Sequence, residues 1–408
     1  MQSSDEVLSP VDVGRLQDGW RGAIGGRVHD LSGATVVLAD AFVAVRIHLA
    51  QPAELEAGSL LVLEAEKRQG ALIGTAVVSM FPGAASGSMG REHDRLLRDR
   101  VGQHLRDRAR AIALVRAWFE AERFVEVDTP VRVPSPGLDL HLDAFPTEDA
   151  FLITSPEYQM KRLVAGGMPR VYQLVHCLRR GESGPWHNPE FLMLEWYRSF
   201  AGIDHVMRDT ERLIAHLVEA MCGRGSLVVQ GRPIDVSAPF ERMTVSEAFA
   251  SYAGVSEQQV LDWAAHDEDR YFRVWVEAVE PAIALRSRPV FLTRYPAQQA
   301  SLARLCPDDP RFCERFELYL GGLELCNGFG ELVDPVEQRR RLERDTAARR
   351  AGGLPCYPID EAFVGALVDG MPPSGGNALG MDRLIALCLG ENSIAQVLAF
   401  PEAWLWGR

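Results

Sequence analysis

The stretch GESGPWHNPEFLMLEWY, Gly181 to Tyr197, places a glutamate inside an otherwise apolar run. Its second half alternates with period two. In an extended strand Phe191, Met193, Glu195 and Tyr197 share one face, and Leu192, Leu194 and Trp196 share the other. The preceding run RVYQLVHCLRR, Arg170 to Arg180, also reads as a strand, and Gly181, Gly184 and Pro185 between the two make a hairpin with a long tip. The Leu192, Leu194, Trp196 face is core. The other offers a ring, a carboxylate and a phenol, and Arg179, on the same side as Cys177, adds a cation. On spacing alone such a face is either a binding surface or a sheet face with buried ion pairs.

A second hairpin follows in FELYLGGLELCNGFGEL, with Gly321-Gly322 as a two-residue turn. Pairing Leu320 with Leu323 sets Tyr319 opposite Glu324 and Glu317 opposite Cys326, so that Glu317 and Glu324 share a face as diagonal neighbours. Two carboxylates that close repel unless a cation lies between them, and magnesium favours such oxygen ligands together with substrate phosphates. Asn327, Phe329 and Glu331 add an amide, a ring and a third acid. Further on, SGGNALGMDRLIALCLG, Ser374 to Gly390, reads as a small-residue strand entering an apolar helix, with Arg383 near the helix start.

Around these segments the chain is expected to be α+β. Its 408 residues suggest two or three domains, and 47% apolar with 24% charged residues is ordinary for a globular protein. Residues 1–80 read as short strands of a small OB-like β-barrel, FPGAASGSMG (81–90) as a linker, and 91–408 as one large α+β domain opened by a long helical stretch. Pro130 is expected to end a strand or hold it at a sheet edge. The seven scattered cysteines form no CxxC pair, which argues against a zinc site or a disulfide framework and for a reducing cytoplasm. The acidic start MQSSDEVLSP does not read as a signal peptide, and no apolar run reaches membrane-spanning length. The net charge of −13 disfavours nucleic acid without a local basic patch. The arginine-rich runs Arg91–Arg110 and Gln338–Arg350 read as solvated helix faces or as such a patch.

Together these segments resemble a class II aminoacyl-tRNA synthetase. The helix and Pro130 are similar to motif 1, the hairpin with Arg179 and HNPEF to motif 2, and ALGMDRL to motif 3. TSPEYQMKRLVAGG, HNPEFLMLEWY, FELYLGGLELCNGFGEL and GLPCYPID resemble the lysyl branch, and nearest of all the lysine ligases that modify elongation factor P, over roughly residues 100–402. The resemblance implies a class II catalytic domain with an antiparallel sheet flanked by helices, ATP and Mg2+ as cofactors, and a homodimer built through motif 1. The implied substrates are lysine or (R)-β-lysine and elongation factor P, with tRNA binding and membrane association not expected.

It also implies site roles. Arg179 and Arg383 would contact the α- and γ-phosphates of ATP and carry catalysis. His187, Asn188, Phe191, Glu324, Leu325 and Gly380 would complete the nucleotide site, with Phe191 stacked on adenine, and Glu317 and Glu324 would hold magnesium. Ser155, Pro156 and Glu157 would bind the substrate amino group, and Tyr197 and Glu331 the distal ammonium. Glu195, Asn327, Phe329 and Ala378 would line the same pocket. Ala378 stands where lysyl-tRNA synthetases resemble GIGIDR, and alanine there goes with protein-modifying ligases and β-lysine.

The pattern is broken in two places. Motif 2 carries Arg-x-Glu in the family, whereas here Gly181 takes the glutamate's place, with Glu182 one position late, and Trp186 replaces a Tyr or Arg. Residues 1–90 hold six Lys/Arg against ten Asp/Glu and only three aromatics, Trp20, Phe42 and Phe81, so the first domain is expected not to read an anticodon. A tRNA-charging enzyme and a non-catalytic paralogue that binds lysine or nucleotide are the alternatives.

Overall fold

The computed structural model describes residues 6–83, 91–137, 140 and 142–407. The chain separates into two compact units, Met1–Arg108 and Ala109–Arg408. Most of the expected linker, residues 84–90, lies outside the described residues.

The first unit holds β1 (Val7–Leu8), β2 (Arg21–Ser32), β3 (Thr35–Ala39), β4 (Ala44–Leu49), β5 (Leu60–Arg68) and β6 (Ala71–Phe81). The long strand β2 pairs with β3 through its second half and with β5 through its first. The pairings therefore run β2–β3–β4–β6–β5 and return to β2. Ile24, Val28, Val36, Leu38, Ile47, Leu61 and Leu63 fill its interior. The helical stretch that follows is interrupted: after a short helical piece ending at Arg98, Arg100 takes a left-handed φ of 62°, and a new helix runs over Val101–Ala121.

The second unit is built on a sheet whose strands are β7 (Val125–Glu126), β10 (Arg170–Leu178), β11 (Glu190–Ser199), β14 (Glu241–Thr244), β15 (Val290–Pro296), β16 (Phe312–Leu320), β17 (Leu323–Gly330) and β18 (Ser374–Gly380). Two small ribbons, β8 (Arg132–Val133) with β9 (Phe151–Leu152) and β12 (Ser226–Val229) with β13 (Arg232–Asp235), lie outside it. The order is β14-β15-β16-β17-β18-β11-β10-β7, antiparallel except at its two ends. Strand β7 stops before Pro130 and lies at the edge, where the missing proline N–H costs no ladder bond.

Alternation decides which face is which. Leu192, Leu194 and Trp196 of β11 join Leu318, Leu320 and Leu379 in one buried cluster under the helices Ile203–Cys222 and Met381–Leu389. Each such fully buried side chain contributes roughly 1.5–3 kcal/mol. The opposite face carries Glu195, Tyr197, Glu317 and Ala378.

The β16–β17 hairpin has the expected turn and the expected Tyr319–Glu324 and Leu320–Leu323 pairs. It departs from expectation one step further on. Leu318 pairs with Cys326, so Leu325 is an extra residue in β17, and Glu317 lies opposite Asn327 rather than Cys326. A β-bulge of this kind re-aims side chains and increases local twist.

Candidate active site

Cross-strand register assembles the site. One row runs Glu317, Asn327, Ala378, Glu195, each opposite the next on β16, β17, β18 and β11. Two residues along, the next row runs Arg315, Phe329, Gly376, Tyr197. Together they floor a cavity of about 580 Å³ that also receives Ser155, Glu157, Arg179, His187, Asn188 and Arg383. Gly376 is required there by close approach: a Cβ at that position would sit 2.3 Å from the Tyr197 ring and 2.5 Å from Glu331 Oε1.

At one end the charges are already paired. Glu157 opens the helix Glu157–Ala165, and Pro156 caps its start. One turn later, Lys161 Nζ lies 2.6 Å from Glu157 Oε1 and 2.6 Å from Glu331 Oε2, with its side chain fully buried. Burial alone would lower this amine's pKa, but the two carboxylates overcome it and raise it. The rings of Tyr197 and Phe329 lie about 6 Å away (6.0 and 5.9 Å).

Among the described residues no cation lies within bonding distance of Glu195. Its carboxylate accepts from Tyr197 OH at 2.6 Å and Ser155 Oγ at 2.7 Å, and its side chain is buried. Burial, and then the charge of Glu157, pushes this carboxyl up to about 8 against the hydrogen bonds and Lys161. The methyl of Ala378 stands beside it in the row, between Asn327 and Glu195.

The other end is rich in arginine. Arg383 donates to the carbonyls of Trp186 (3.1 Å) and Glu324 (2.7 Å) and approaches His187 Nε2 at 2.6 Å. Burial first, and then Arg383, lowers the His187 pKa, so the ring is a neutral acceptor. Arg179 lies 5.0 Å over the Phe191 ring, donates to Thr154 O, and lies 3.7 Å from Glu182. Glu182 thus reaches Arg179. Gly181 itself has φ 87°, a left-handed conformation that a glutamate would adopt only under strain. Asn188 is engaged by backbone: its amide donates to Glu190 O and its oxygen accepts from Glu402 N, which ties the hairpin to the C-terminal segment. The side chain of Leu325 packs in the core, so its backbone is what it offers the cavity, and Gly380 sits beside Arg383.

Glu317 accepts from Arg315 (2.6 Å) and Tyr319 OH (2.9 Å). Among the described residues no side chain bonds the Glu324 carboxylate, and burial followed by the charge of Glu317 pushes it up to about 7. Two adjacent carboxylates, one without a cation and both with oxygen lone pairs to spare, fit a hard divalent ion.

Sequence reasoning missed Lys161, Arg315 and Asp382. Asp382 accepts from Leu192 N at 2.9 Å and so ties β11 to the helix bearing Arg383. The spacing Glu157-to-Lys161 was a usable i,i+4 signal, as was Arg315 two residues from Glu317 on one strand face. The run Gln338–Arg350 is only partly a solvated face. Arg341 and Arg349 are buried and bond backbone carbonyls, including Ser301 and Ala303 for the first and Leu140 and Leu142 for the second.

No helix among the described residues is long and apolar enough to cross a membrane. Residues 89–403 match the family model described as tRNA synthetases class II (D, K and N). Proteins named elongation factor P--(R)-beta-lysine ligase from Vibrio parahaemolyticus, Edwardsiella ictaluri and Proteus mirabilis are 41%, 40% and 38% identical. In each case the match covers 73% of this chain and 94–95% of the relative. A cavity with arginines at one end and buried acids at the other, on an antiparallel sheet matched over that length, places the chain in the class II tRNA synthetase family, among the elongation factor P--(R)-beta-lysine ligases.

Proposed function

We propose that the protein activates lysine or (R)-β-lysine with ATP as an aminoacyl-adenylate and transfers the acyl group to a lysine side chain of elongation factor P. The observation that carries this reading is the separation of acidic and basic groups along one cavity. Glu195 lacks a cation at one end, while Arg179 and Arg383 face the cavity at the other. A substrate ammonium answers the first and phosphates answer the second.

In this reading the substrate carboxylate attacks the α-phosphorus and pyrophosphate departs. Glu195, oriented by Tyr197 and Ser155, holds an ammonium, and Lys161 keeps Glu157 and Glu331 in place beside it. Arg179 lies beside the attacked phosphate and Arg383 beside the departing ones, so catalysis is positioning and charge stabilisation. Phe191, His187, Asn188, Leu325 and Gly380 shape the nucleotide end. Magnesium held by Glu317 and Glu324 would supply positive charge to the phosphates. The Ala378 methyl, next to Glu195, supports β-lysine over α-lysine. The closing strand pairings and acidic composition of the first unit support an OB-like barrel over residues 1–80, followed by a linker over 81–90, that does not read an anticodon. A homodimer through the motif 1 helix and a cytoplasmic location complete the proposal.

The test supplies purified protein, ATP and magnesium with either lysine isomer and either elongation factor P or lysine tRNA. A lysyl-sized mass gain on elongation factor P with uncharged tRNA is expected. Charged tRNA with unmodified protein would overturn the reading.

A further inference from the structure

One wall of the cavity is not used by the proposed activation chemistry. It comes from the segment Glu268–Ala284, which contributes Glu268, Tyr271, Phe272, Trp275, Val276 and Glu280. Three features set it apart. Phe272 and Val276, one turn apart, remain 41% and 57% exposed at the cavity's edge. Five acids and two arginines stand between Asp267 and Ala284. Behind the edge, the hydroxyls of Tyr271 and Tyr295 and Nε2 of Gln299 are buried without a hydrogen-bond partner among the described residues. Trp275 lies between the two phenols, its ring 6.3 Å from that of Tyr271 and 6.4 Å from that of Tyr295.

An apolar, acidic edge backed by unsatisfied polar atoms suits a flexible alkyl stem ending in an amine. We infer that this wall receives the lysine-bearing basic segment of the acceptor protein. The inference rests on the proposed protein acceptor and adds where that acceptor enters. Glu268 and its acidic neighbours draw the ammonium in. Phe272 and Val276 cover the methylene stem, as apolar surface does for snorkelling lysines. The orphaned phenols and amide offer polar partners to a head group leaving water, where desolvation lowers an amine's pKa. A phosphate-rich acceptor would meet the same acids as repulsion.

The step itself balances without a further reactant. The ammonium loses one proton to solvent, and its nitrogen attacks the acyl carbon of the adenylate. The acyl carbon–oxygen bond to phosphate breaks, AMP leaves with that oxygen, and the second amine proton goes to solvent as the amide forms.

The experiment separates adenylate formation from transfer. Glu268→Lys with Val276→Lys reverses the edge, and Asp262→Lys reverses one charge on the neighbouring helix, at a residue that does not line the cavity. Lysine-dependent pyrophosphate exchange and mass gain on elongation factor P are measured for each in the full-length protein. The expected result is exchange within about twofold of the parent for both proteins. Transfer should be lost about tenfold or more in the edge variant alone, through a raised acceptor KM that is sensitive to salt. Unchanged transfer in the edge variant, or exchange and transfer falling together, would overturn the inference. A parent protein that exchanges pyrophosphate but never modifies elongation factor P would instead remove the acceptor reading on which it rests.

Discussion

At one end of the cavity Glu157 and Glu331 share a buried lysine supplied by the protein, whereas at the other Arg383 has, among the described residues, only carbonyls and a neutral histidine for hydrogen-bond partners. The first end is short of one cation, at Glu195, and the second is short of anions. The first shortfall lies on a strand, β11, whose alternate residues build ordinary core, and the second at the start of the helix Met381–Leu389. The contrast teaches that the fold neutralises the charges that shape the site and leaves bare those that meet substrate. A buried ion left without a partner is costly, and a ligand can supply that partner.

The largest test of the contrast is at the bare end. Arg383→Ala should lower pyrophosphate exchange by about 100- to 1,000-fold, the range for removing a group that stabilises developing charge. Circular dichroism should be unchanged, and a small loss would mean that the arginine only braces Trp186 and Glu324. Lys161→Met attacks the paired end. It strands Glu157 and Glu331 without their cation and should cost about 3–5 kcal/mol in urea unfolding. Full stability would show that the lysine is dispensable to the fold. Glu195→Gln keeps the shape but removes the charge, and one of the two hydroxyls must turn to accept from the new amide. It should raise the lysine KM by about 10- to 100-fold with the ATP KM little changed, as expected for a lost charge-assisted bond. A matching rise in the ATP KM would contradict the separation of the two ends.

A smaller effect follows from protonation. The Glu195 carboxyl is raised to about 8 by burial, above its ordinary value of about 4.3. Between those values the folded state binds the extra proton, so this group makes stability fall as pH rises from about 4.3 to about 8. Binding an ammonium favours the ionised form. Lysine binding at pH 7 should therefore release up to about one proton, read by calorimetry in buffers of different ionisation enthalpy. Glu195→Gln should abolish the release. The smallest effect is expected from Ala378→Gly, which should shift the ratio of α-lysine to β-lysine use by about tenfold or less, with about 0.5–1 kcal/mol lost to glycine in a strand.

Much of this was legible in residue order. Period-two alternation fixed the faces of β11, and Gly321-Gly322 fixed the hairpin turn. The bulge at Leu325 was not legible, because nothing in LELCNG distinguishes an extra residue from a paired one. The partner of Glu317 therefore came out one position wrong. The i,i+4 spacing of Glu157 and Lys161 signals a pair but not its burial, and Glu331, brought in just past the end of β17, makes it a buried bridge. The glycine at position 181 kept a non-catalytic paralogue open as an alternative. Its positive φ and the 3.7 Å approach of Glu182 to Arg179 recast it as a shift of the acid by one residue.

The Lys161 bridge has a consequence for how the protein meets its amino acid. Because an internal ammonium already holds Glu157 and Glu331, the walls around Glu195 are set before any ligand arrives. Little side-chain motion remains to be frozen on binding, so association should carry a small entropic cost and the vacant site should persist as a formed shape rather than collapse. Amide hydrogen exchange along β11 and β17 should then be nearly as slow without lysine as with it.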